Sequence, residues 1–232
     1  MGRRGDQALE PWYQIAKNVG LPPMRLWFSW RFEGLEHIPS EGPGLVACSH
    51  LSYVDPFGYA EAVIRRGRRP RFLGKAQLFD IPLVGAALHG AGQIPVNRGS
   101  GDQTPLRNAE EAIASGEVVV IYPEGTVTDR ADHLPMSGKT GVVRLSLATG
   151  VPIVPMGSWG SHPVWQKSGM GSLKFGRPIW VKAGPAIDLS NRKDEADDRD
   201  ALHEMTDDVM AAITAIVEDL RARYPKRWSG DG

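Results

Sequence analysis

Short apolar segments alternate with longer amphipathic ones along most of the chain. The clearest apolar run, EVVVIY at 117–122, has the length of a buried strand and is too short for an ordinary helix. Similar runs predict further strands at Gly44–Cys48, 71–73, 93–96, 151–156, 173–175 and 178–182. Helical spacing of apolar residues predicts helices at 56–66, 81–88, 104–115, 138–149 and 194–224, with Gly150 as a C-cap.

This alternation is typical of a sheet of mainly parallel strands covered by helices. The sequence therefore predicts an α/β fold, with a single domain built on a mixed, mostly parallel sheet flanked by helices. An N-terminal amphipathic helical segment precedes it. The predicted organisation is 1–33 for a membrane-associating segment, 34–190 for the core and 191–232 for a C-terminal helix and tail.

Aromatic and basic residues are interleaved in the N-terminal segment, and Pro22-Pro23 divides it into two short pieces. Its aromatic residues are Trp12, Tyr13, Trp27, Phe28, Trp30 and Phe32. This composition suits the headgroup layer of a membrane, but an amphipathic helix packed on the core has the same pattern. Both interpretations remain open at this stage.

Length, charge and cysteine count argue against several classes of protein. The 232 residues suit one good-sized domain, and 27 basic against 27 acidic residues argue against a general nucleic-acid binder. No apolar run is long enough to span a bilayer, and we expect no signal peptide, so any membrane contact should be peripheral. A single cysteine, Cys48, excludes an intrachain disulfide and favours a reducing compartment.

Several common site types lack their motifs. There is no G-x-S-x-G elbow, no Walker loop and no G-x-G-x-x-G after a strand. The six histidines and one cysteine show no zinc-ligand spacing, so we predict no metal site. Cys48 lies two residues before His50, but a small buried residue at a strand end is a better interpretation of it than a nucleophile.

His50 and Asp55 form a His-x4-Asp pair just after the first predicted core strand. The loop between strand and helix can bring the carboxylate back to the imidazole, which would orient the ring for general base catalysis. His203 and Asp208 have the same spacing, but inside a predicted helix such residues point about 140° apart. We therefore assign the chemistry to the first pair, against the alternative of a histidine that only stabilises a turn.

Two further clusters come after predicted strands. Glu124, Gly125 and Thr126 come directly after the strongest strand, where they form either a plain turn or part of a site. Arg98 comes after the strand at 93–96, and an arginine there could bind a phosphate with two hydrogen bonds. An exposed loop arginine is the commoner alternative.

Taken in order, these clusters resemble the 1-acylglycerol-3-phosphate acyltransferase family, the bacterial PlsC type of lysophospholipid acyltransferase. The resemblance covers roughly residues 34–185 and consists of four ordered blocks. The matching residues are His50 and Asp55; Gly92, Ile94 and Arg98; Tyr122 to Thr126; and Val151 to Pro155. One departure is Val127, where the family usually has an arginine thought to help bind the acceptor phosphate. Arg130, Lys139 or Arg144 could compensate, or the acceptor could differ.

The resemblance implies direct acyl transfer from a thioester to the free hydroxyl of lysophosphatidic acid. His50 would be the base, Asp55 would orient it, and Arg98, Glu124, Gly125, Thr126 and Lys139 would bind the acceptor. It implies acyl-CoA, or acyl carrier protein, as donor and co-substrate, and no cofactor. The expected partners are a lysophospholipid and a membrane surface, with no nucleic acid, on the inner face of the cell membrane in the cytoplasm.

Alternatives remain at the level of sequence. The acceptor could be another lysophospholipid or a glycolipid, the same His–Asp pair could hydrolyse an acyl thioester, or the chain could bind lipid without catalysis. A basic run, Arg65 to Lys75, could hold the phosphates of coenzyme A or an anionic lipid, or could be a solvated helix end.

Overall fold

A seven-stranded sheet organises the molecule in the computed structural model, which describes residues 14–97 and 103–229. Its strands are β1 (Ser29–Glu33), β2 (Gly44–Cys48), β3 (Pro70–Lys75), β4 (Ile94–Val96), β5 (Val118–Ile121), β6 (Ile153–Trp159) and β9 (Pro178–Ala183). They lie in the order β1-β9-β6-β2-β5-β3-β4. Strands β7 (Trp165–Gln166) and β8 (Gly169–Met170) form a separate hairpin.

Helices cover the sheet. They are α1 (Leu21–Trp27), α2 (Asp55–Arg65), α3 (Val84–Gly90), α4 (Thr104–Ala114), α5 (Gly141–Thr149) and α6 (Arg199–Arg223). Short 3-10 turns occupy Leu35–His37, Ala76–Leu78, Ser190–Glu195 and Lys226–Trp228, and a π-helical turn at Ala16–Gly20 precedes α1. The predicted single α/β domain with a mostly parallel sheet is confirmed.

Strand β2 lies at the centre and pairs in parallel with β5 and β6. Its side chains alternate between the two faces: Leu45 and Ala47 pack with α4, α5 and α6, whereas Val46 and Cys48 pack with α2. Burial on both faces explains why GLVAC contains no polar side chain. On β6, a Cβ on Gly157 would lie 2.8 Å from Ile216, so this glycine permits α6 to approach the sheet closely.

Strands β9 and β1, at one end of the strand order, run in the opposite direction to the other five. β9 is antiparallel to β6, and β1 is parallel to β9. The carboxyl ends of β2, β3, β4, β5 and β6 therefore share one edge of the sheet with the amino ends of β1 and β9. We call this the catalytic edge, because His50, the predicted base, comes after β2 there. The other ends of the strands form the opposite edge.

Apart from element boundaries and the short β7–β8 hairpin, which was not predicted, the sequence-based predictions of elements differ from the structure at two places. The strand predicted at 173–175 is not formed, and this stretch is a loop and turn that leads into β9. Strand β1 was not predicted: residues 29–33 were assigned to the N-terminal segment, but they pair with β9 in the sheet. Alternating aromatic and charged residues in SWRFE gave an amphipathic pattern that does not reveal a strand partner far along the chain.

Pro22 and Pro23 lie in the first turn of α1, where their missing N–H groups would have no helical partner. Among the described residues, no helix has both the length and the apolar character needed to cross a membrane. Membrane association of residues 1–33 stays a prediction, and residues 1–13 lie outside the described part.

Candidate active site

The loop after β2 brings His50 and Asp55 together. Asp55 is the first residue of α2, and its Oδ2 accepts the N–H groups of Leu51 and Ser52 at 2.6 and 2.7 Å. The Nδ1 atom of His50 lies 3.5 Å from the same oxygen, longer than a formed hydrogen bond. Both residues are buried, with 8% and 2% of their surfaces exposed. The structure therefore brings the two predicted side chains together, at a distance typical of catalytic pairs before substrate binds.

The second oxygen of Asp55 is held from a neighbouring strand. Ser158, in β6, and Ser161, just after it, donate their hydroxyls to Oδ1 at 2.9 and 2.5 Å. With the two N–H groups of its own loop, the carboxylate accepts four hydrogen bonds, which fix its orientation. Sequence reasoning missed both serines. Their only signal was a pair of polar residues at the end of an apolar strand.

Glu124 ties two loops together instead of facing an open cavity. Its Oε1 accepts the N–H of His50 and its Oε2 accepts the N–H of Met136, both at 2.9 Å. Burial raises the pKa of this carboxyl to about 7. The N–H of Thr128 donates to the carbonyl of His50 at 2.8 Å. The backbone of His50 is thus held on both sides, and Glu124 contacts it directly.

The ring of His50 stacks on Tyr122, with ring centres 4.2 Å apart, and meets Tyr53 edge-on. Such contacts restrict rotation of the imidazole about its side-chain bonds. Tyr122 occupies the position at which the family usually has phenylalanine, and its ring fills the aromatic position. The phenol is buried, which raises its pKa and keeps it protonated.

Gly125 forms the turn after β5, with a φ of 71° that favours glycine. Its N–H donates to the carbonyl of Tyr122 at 2.9 Å. A Cβ at Gly125 would lie 3.3 Å from the Nζ of Lys139, so this exposed lysine lies across the turn. Thr126 comes next, half-buried. The structure therefore brings Gly125, Thr126 and Lys139 together next to Glu124.

Three backbone N–H groups near His50 already have acceptors within the protein. The N–H of Gly125 is donated to Tyr122, and those of Leu51 and Ser52 are donated to Asp55. In this arrangement these three groups are therefore not available to a developing oxyanion.

Val127, the departure from the family motif, is 1% exposed and belongs to the interior. Of the three cations that could compensate, Arg130 is bound to Asp132 through two hydrogen bonds of 2.9 and 2.6 Å. Arg144 lies on α5 and donates to Thr140. Lys139 alone of these three lies against the Gly125 turn. Arg98, the predicted phosphate ligand, lies outside the described residues.

The basic run has a structural role. Arg68 donates to the carbonyls of Pro39, Gly42 and Gly116, while Arg69 and Arg71 bind the carboxylate of Glu117. These contacts lie at the opposite edge, away from His50. A cavity of about 540 Å³ also lies there, lined partly by Arg71 and Glu117, and His50 does not line it. For Arg68, Arg69 and Arg71, this position and these partners contradict the prediction that the run holds coenzyme A phosphates. Lys75, at the end of β3, lies at the edge of His50, and for this residue the prediction stays untested.

The surroundings of two weaker catalytic candidates, Cys48 and His203, argue against a role in the reaction. Cys48 is fully buried, which raises the pKa of its thiol and leaves it unreactive as a nucleophile. His203 lies exposed on α6, with Nδ1 at 2.7 Å from the carbonyl of Arg199, its own helical neighbour. The pair formed by His203 and Asp208 is therefore a coincidence of spacing.

Comparison with known proteins identifies the family of the chain. A family model described as Acyltransferase matches residues 29–159. A chloroplastic 1-acyl-sn-glycerol-3-phosphate acyltransferase of Arabidopsis thaliana is 28% identical over 153 residues, which cover 65% of this chain and 41% of the relative. The enzyme of that name from Bacillus subtilis is 25% identical over 62% of this chain and 70% of its own.

An uncharacterized protein of Mycobacterium tuberculosis is 29% identical over 60% of this chain and 39% of the relative. This chain thus spans about two fifths of the length of several curated relatives that it matches. The crystal structure of the 1-acyl-sn-glycerophosphate acyltransferase PlsC from Thermotoga maritima superposes with a TM-score of 0.68 over 93% of this chain and 81% of its own, at 24% identity. That likeness establishes the fold.

The family model spans more than half of the chain, from β1 to the end of β6, and includes the loop of His50 and the turn of Gly125. The resemblance drawn from the four ordered motifs is therefore confirmed. The chain belongs to the acyltransferase family, with its likeness to 1-acylglycerol-3-phosphate acyltransferases carried by both sequence and fold.

Proposed function

We propose that the protein transfers a long fatty acyl chain from acyl-CoA to the free hydroxyl of lysophosphatidic acid, forming phosphatidic acid. The observation that carries this proposal is the buried His50–Asp55 pair at the catalytic edge, held by Glu124 and two serines. Family membership supports acyl transfer as the reaction class. The names of the relatives support the choice of acceptor.

In the proposed reaction, His50 removes the proton from the acceptor hydroxyl as its oxygen attacks the thioester carbonyl carbon. The carbon–sulfur bond then breaks and the new ester forms. The proton held by the imidazole passes to the departing thiolate, so the base returns to its starting state. Asp55 orients the ring through Nδ1, which leaves Nε2 for the substrate. No acyl-enzyme is required.

The acceptor phosphate would be bound by cationic side chains. Lys139 lies across the Gly125 turn, and we propose that it contributes together with Arg98. Glu124 acts mainly by positioning His50, since both of its oxygens accept backbone N–H groups. Thr126 lies in the same turn and supplies a hydroxyl near the acceptor.

We propose a peripheral location on the inner face of the cell membrane, in the cytoplasm, with the segment 1–33 contributing to attachment. Both substrates carry acyl chains whose exposure to water costs about 0.8 kcal/mol per methylene. A lipid surface therefore is the natural source of the acceptor. The donor could be acyl carrier protein in place of coenzyme A, and a direct comparison of the two would decide it.

A second acceptor class is suggested by one observation. Val127 is buried where the family usually has an arginine, so this position offers no charge to a phosphate. An acceptor with a different headgroup, such as another lysophospholipid or a glycolipid, is the corresponding alternative. The catalytic pair would be unchanged.

The test is a thiol-release assay with purified protein and palmitoyl-CoA, with and without lysophosphatidic acid, and with products separated by mass. We expect release that depends on the acceptor, with phosphatidic acid formed. Release without acceptor would show a thioesterase instead. Release with a glycolipid or another lysophospholipid, but not with lysophosphatidic acid, would establish the second acceptor class. A lack of release with every acceptor and with both donors would overturn the proposal and favour a non-catalytic lipid-binding role.

A further inference from the structure

A groove of about 360 Å³ lies between helices α4 and α5. This volume is within the range of about 300–1,000 Å³ that is usual for small-molecule sites. Part of the lining is apolar and part is charged. The apolar residues are Leu106, Leu147 and Ala148, and the charged ones are Arg107, Glu110 and Arg144.

Both arginines lie at the end of the groove that faces the catalytic edge. Helix α4 comes after β4 and α5 comes before β6, so both helices begin at the edge where the carboxyl ends of these parallel strands meet. Arg107 and Arg144 are each the fourth residue of their helix. A Cβ at Gly141 would lie 3.7 Å from Leu106, so the first turns of the two helices are close together.

One short segment connects this groove to the proposed active site. The N–H of Met136 donates to Glu124 and the N–H of Lys139 donates to the carbonyl of Pro123, both at 2.9 Å. Helix α5 begins two residues after Lys139. The segment that is bound to the turn after β5 therefore continues directly into the helix that carries Arg144.

The protein does not use either guanidinium in an ion pair. Within the described ranges, no carboxylate lies at ion-pair distance from Arg107 or Arg144, and both residues are exposed. The side chain of Arg144 donates only to the hydroxyl of Thr140, at 3.3 Å. With Glu110 as the one acidic residue in the lining, the groove carries a net positive charge.

The larger cavity, at the opposite edge, does not offer the same chemistry. Its arginine, Arg71, donates to the carboxylate of Glu117 and to the carbonyl of Ala91. Glu111 and Glu117 both line that cavity, so a phosphate there would meet two carboxylates. An anionic ligand is therefore expected in the groove between α4 and α5 and not in the larger cavity.

We infer that the groove between α4 and α5 binds the nucleotide end of coenzyme A in the acyl donor, with Arg107 and Arg144 on its phosphates. A guanidinium group matches phosphate oxygens with two parallel hydrogen bonds. In this position the pantetheine arm extends along the segment 139–141 and brings the thioester to His50. The inference rests on the proposed use of acyl-CoA and assigns the donor a site of its own.

The remaining lining suits the rest of the nucleotide. Leu106 and Leu147 present an apolar surface on which the flat adenine ring can pack. The carboxylate of Glu110 can accept a hydrogen bond from a ribose hydroxyl. Phosphate, base and sugar thus each have a partner of matching chemistry.

The first experiment measures binding of coenzyme A to the full-length protein by isothermal titration calorimetry, with no acyl chain and no acceptor present. Pantetheine, which lacks the nucleotide and its phosphates, is titrated for comparison. The variant is Arg107→Ser with Arg144→Ser. The matched control is Lys226→Ser with Arg227→Ser, which removes the same charge from two exposed positions after the end of α6.

We expect the Arg107 and Arg144 variant to lose about tenfold or more in affinity for coenzyme A, because each arginine makes charge-assisted hydrogen bonds to phosphate. The control should bind coenzyme A like the unaltered protein, and pantetheine should bind more weakly than coenzyme A to both. Circular dichroism checks that each variant folds. Unchanged affinity in the folded Arg107 and Arg144 variant, or no binding of coenzyme A by the unaltered protein, would overturn the inference.

A second measurement compares two thioester donors in the acyl-transfer assay. With palmitoyl-CoA, the Arg107 and Arg144 variant should show a donor KM raised about tenfold, with kcat within about twofold of the unaltered protein. With palmitoyl-pantetheine, which has no nucleotide, the two proteins should have the same KM. An equal rise in KM with both donors would show that the arginines do not bind the nucleotide.

The calorimetry also separates this inference from the proposed function. Binding of coenzyme A is measured without turnover, so a protein that binds it through Arg107 and Arg144 but transfers no acyl chain would retain the site and lose only the proposed reaction. If the variant instead loses activity with an acyl carrier protein and keeps its affinity for coenzyme A, the groove docks a carrier protein and the inference is wrong.

Discussion

At the scale of single residues, the proposed site is defined by the contacts that hold His50, the proposed base. His50 is fixed through its backbone by Glu124 and Thr128, and through its ring by Tyr122. Asp55 is fixed by four donors from two elements. Such support suits a group that must act repeatedly in one orientation.

Removing the base or its partner should abolish turnover. We expect His50→Ala and Asp55→Ala to lower kcat by about 10²- to 10⁴-fold, the usual contribution of general base catalysis. His203→Ala, which alters the second His-x4-Asp pair on α6, should retain full activity. Steady-state assays with palmitoyl-CoA and lysophosphatidic acid check this, and an equal loss at His203 would refute our choice of pair.

The serines that hold Asp55 should act through position. Ser161→Ala removes one of the two hydroxyls on Oδ1, so the carboxylate is less firmly oriented while substrate contacts are unchanged. We expect kcat to fall about tenfold, with the KM for both substrates within about twofold. Ser158→Ala should have the same effect, and the double variant a larger one. A change confined to KM would show that the serines contact substrate instead.

The scale of whole elements shows how the loops are joined. Glu124 lies in the turn after β5. Its two carboxylate oxygens accept N–H groups from the loop after β2 and from the segment that precedes α5. One carboxylate therefore aligns three connections at the catalytic edge. Burial of the Glu124 carboxyl disfavours its ionised form, and this raises its pKa.

The raised pKa of Glu124 predicts a pH dependence of stability. Its carboxyl ionises near pH 4.5 in the unfolded chain and at about 7 in the folded one, so between these values the folded state holds the extra proton. The contribution of Glu124 to the free energy of unfolding must then decrease as pH rises through this window, by up to about 1.4 kcal/mol per pH unit.

Glu124→Gln removes that titration. We expect the slope of unfolding free energy against pH, between pH 5 and 7, to become more positive in the variant by up to about 1.4 kcal/mol per unit. At pH 5 the variant should be less stable than the unaltered protein. Its amide nitrogen is a hydrogen-bond donor, and it would face one of the two backbone N–H groups that Glu124 accepts. Urea unfolding at a series of pH values measures both, and identical slopes would contradict the assigned pKa.

At the scale of the whole molecule, the two edges of the sheet differ in the kinds of residue that they carry. The catalytic edge carries the proposed reacting groups and, among the described residues, the exposed large apolar side chains. The opposite edge is closed by arginines that bind backbone carbonyls and the carboxylate of Glu117. These contacts join the start of β3 to the start of β5 and the loop before β2.

Breaking this network should affect stability more than chemistry. Glu117→Ala leaves Arg69 and Arg71 without their carboxylate in a largely buried position, so we expect a loss of about 3–5 kcal/mol in the free energy of unfolding. Glu41→Ala, an exposed glutamate at the same edge, is the control. For folded Glu117→Ala, kcat should stay within about threefold of the unaltered enzyme. A stability loss no larger than that of the control would show that the network is dispensable.

Much of this architecture could be predicted from local pattern. Strands β2, β5 and β6 are continuous apolar runs because both of their faces are buried, and the helices between them have clear amphipathic spacing. Strand β1 could not be predicted, since its pairing with β9 depends on residues about 150 positions away. The role of Arg68 in the basic run could not be predicted either, because charge alone does not show whether an arginine meets solvent or a carbonyl oxygen.

The sequence by itself determined the fold class, the ordered motifs and the choice of His50 and Asp55 over a second pair of equal spacing, because these depend on local periodicity and on the residues directly after each strand. Only the tertiary structure decided what surrounds them. It revealed Ser158 and Ser161 on Asp55, turned Glu124 towards the backbone of His50, and collected the exposed apolar residues at one edge. Those facts depend on contacts between segments far apart in the chain, and such contacts exist only once the sheet has brought the segments together.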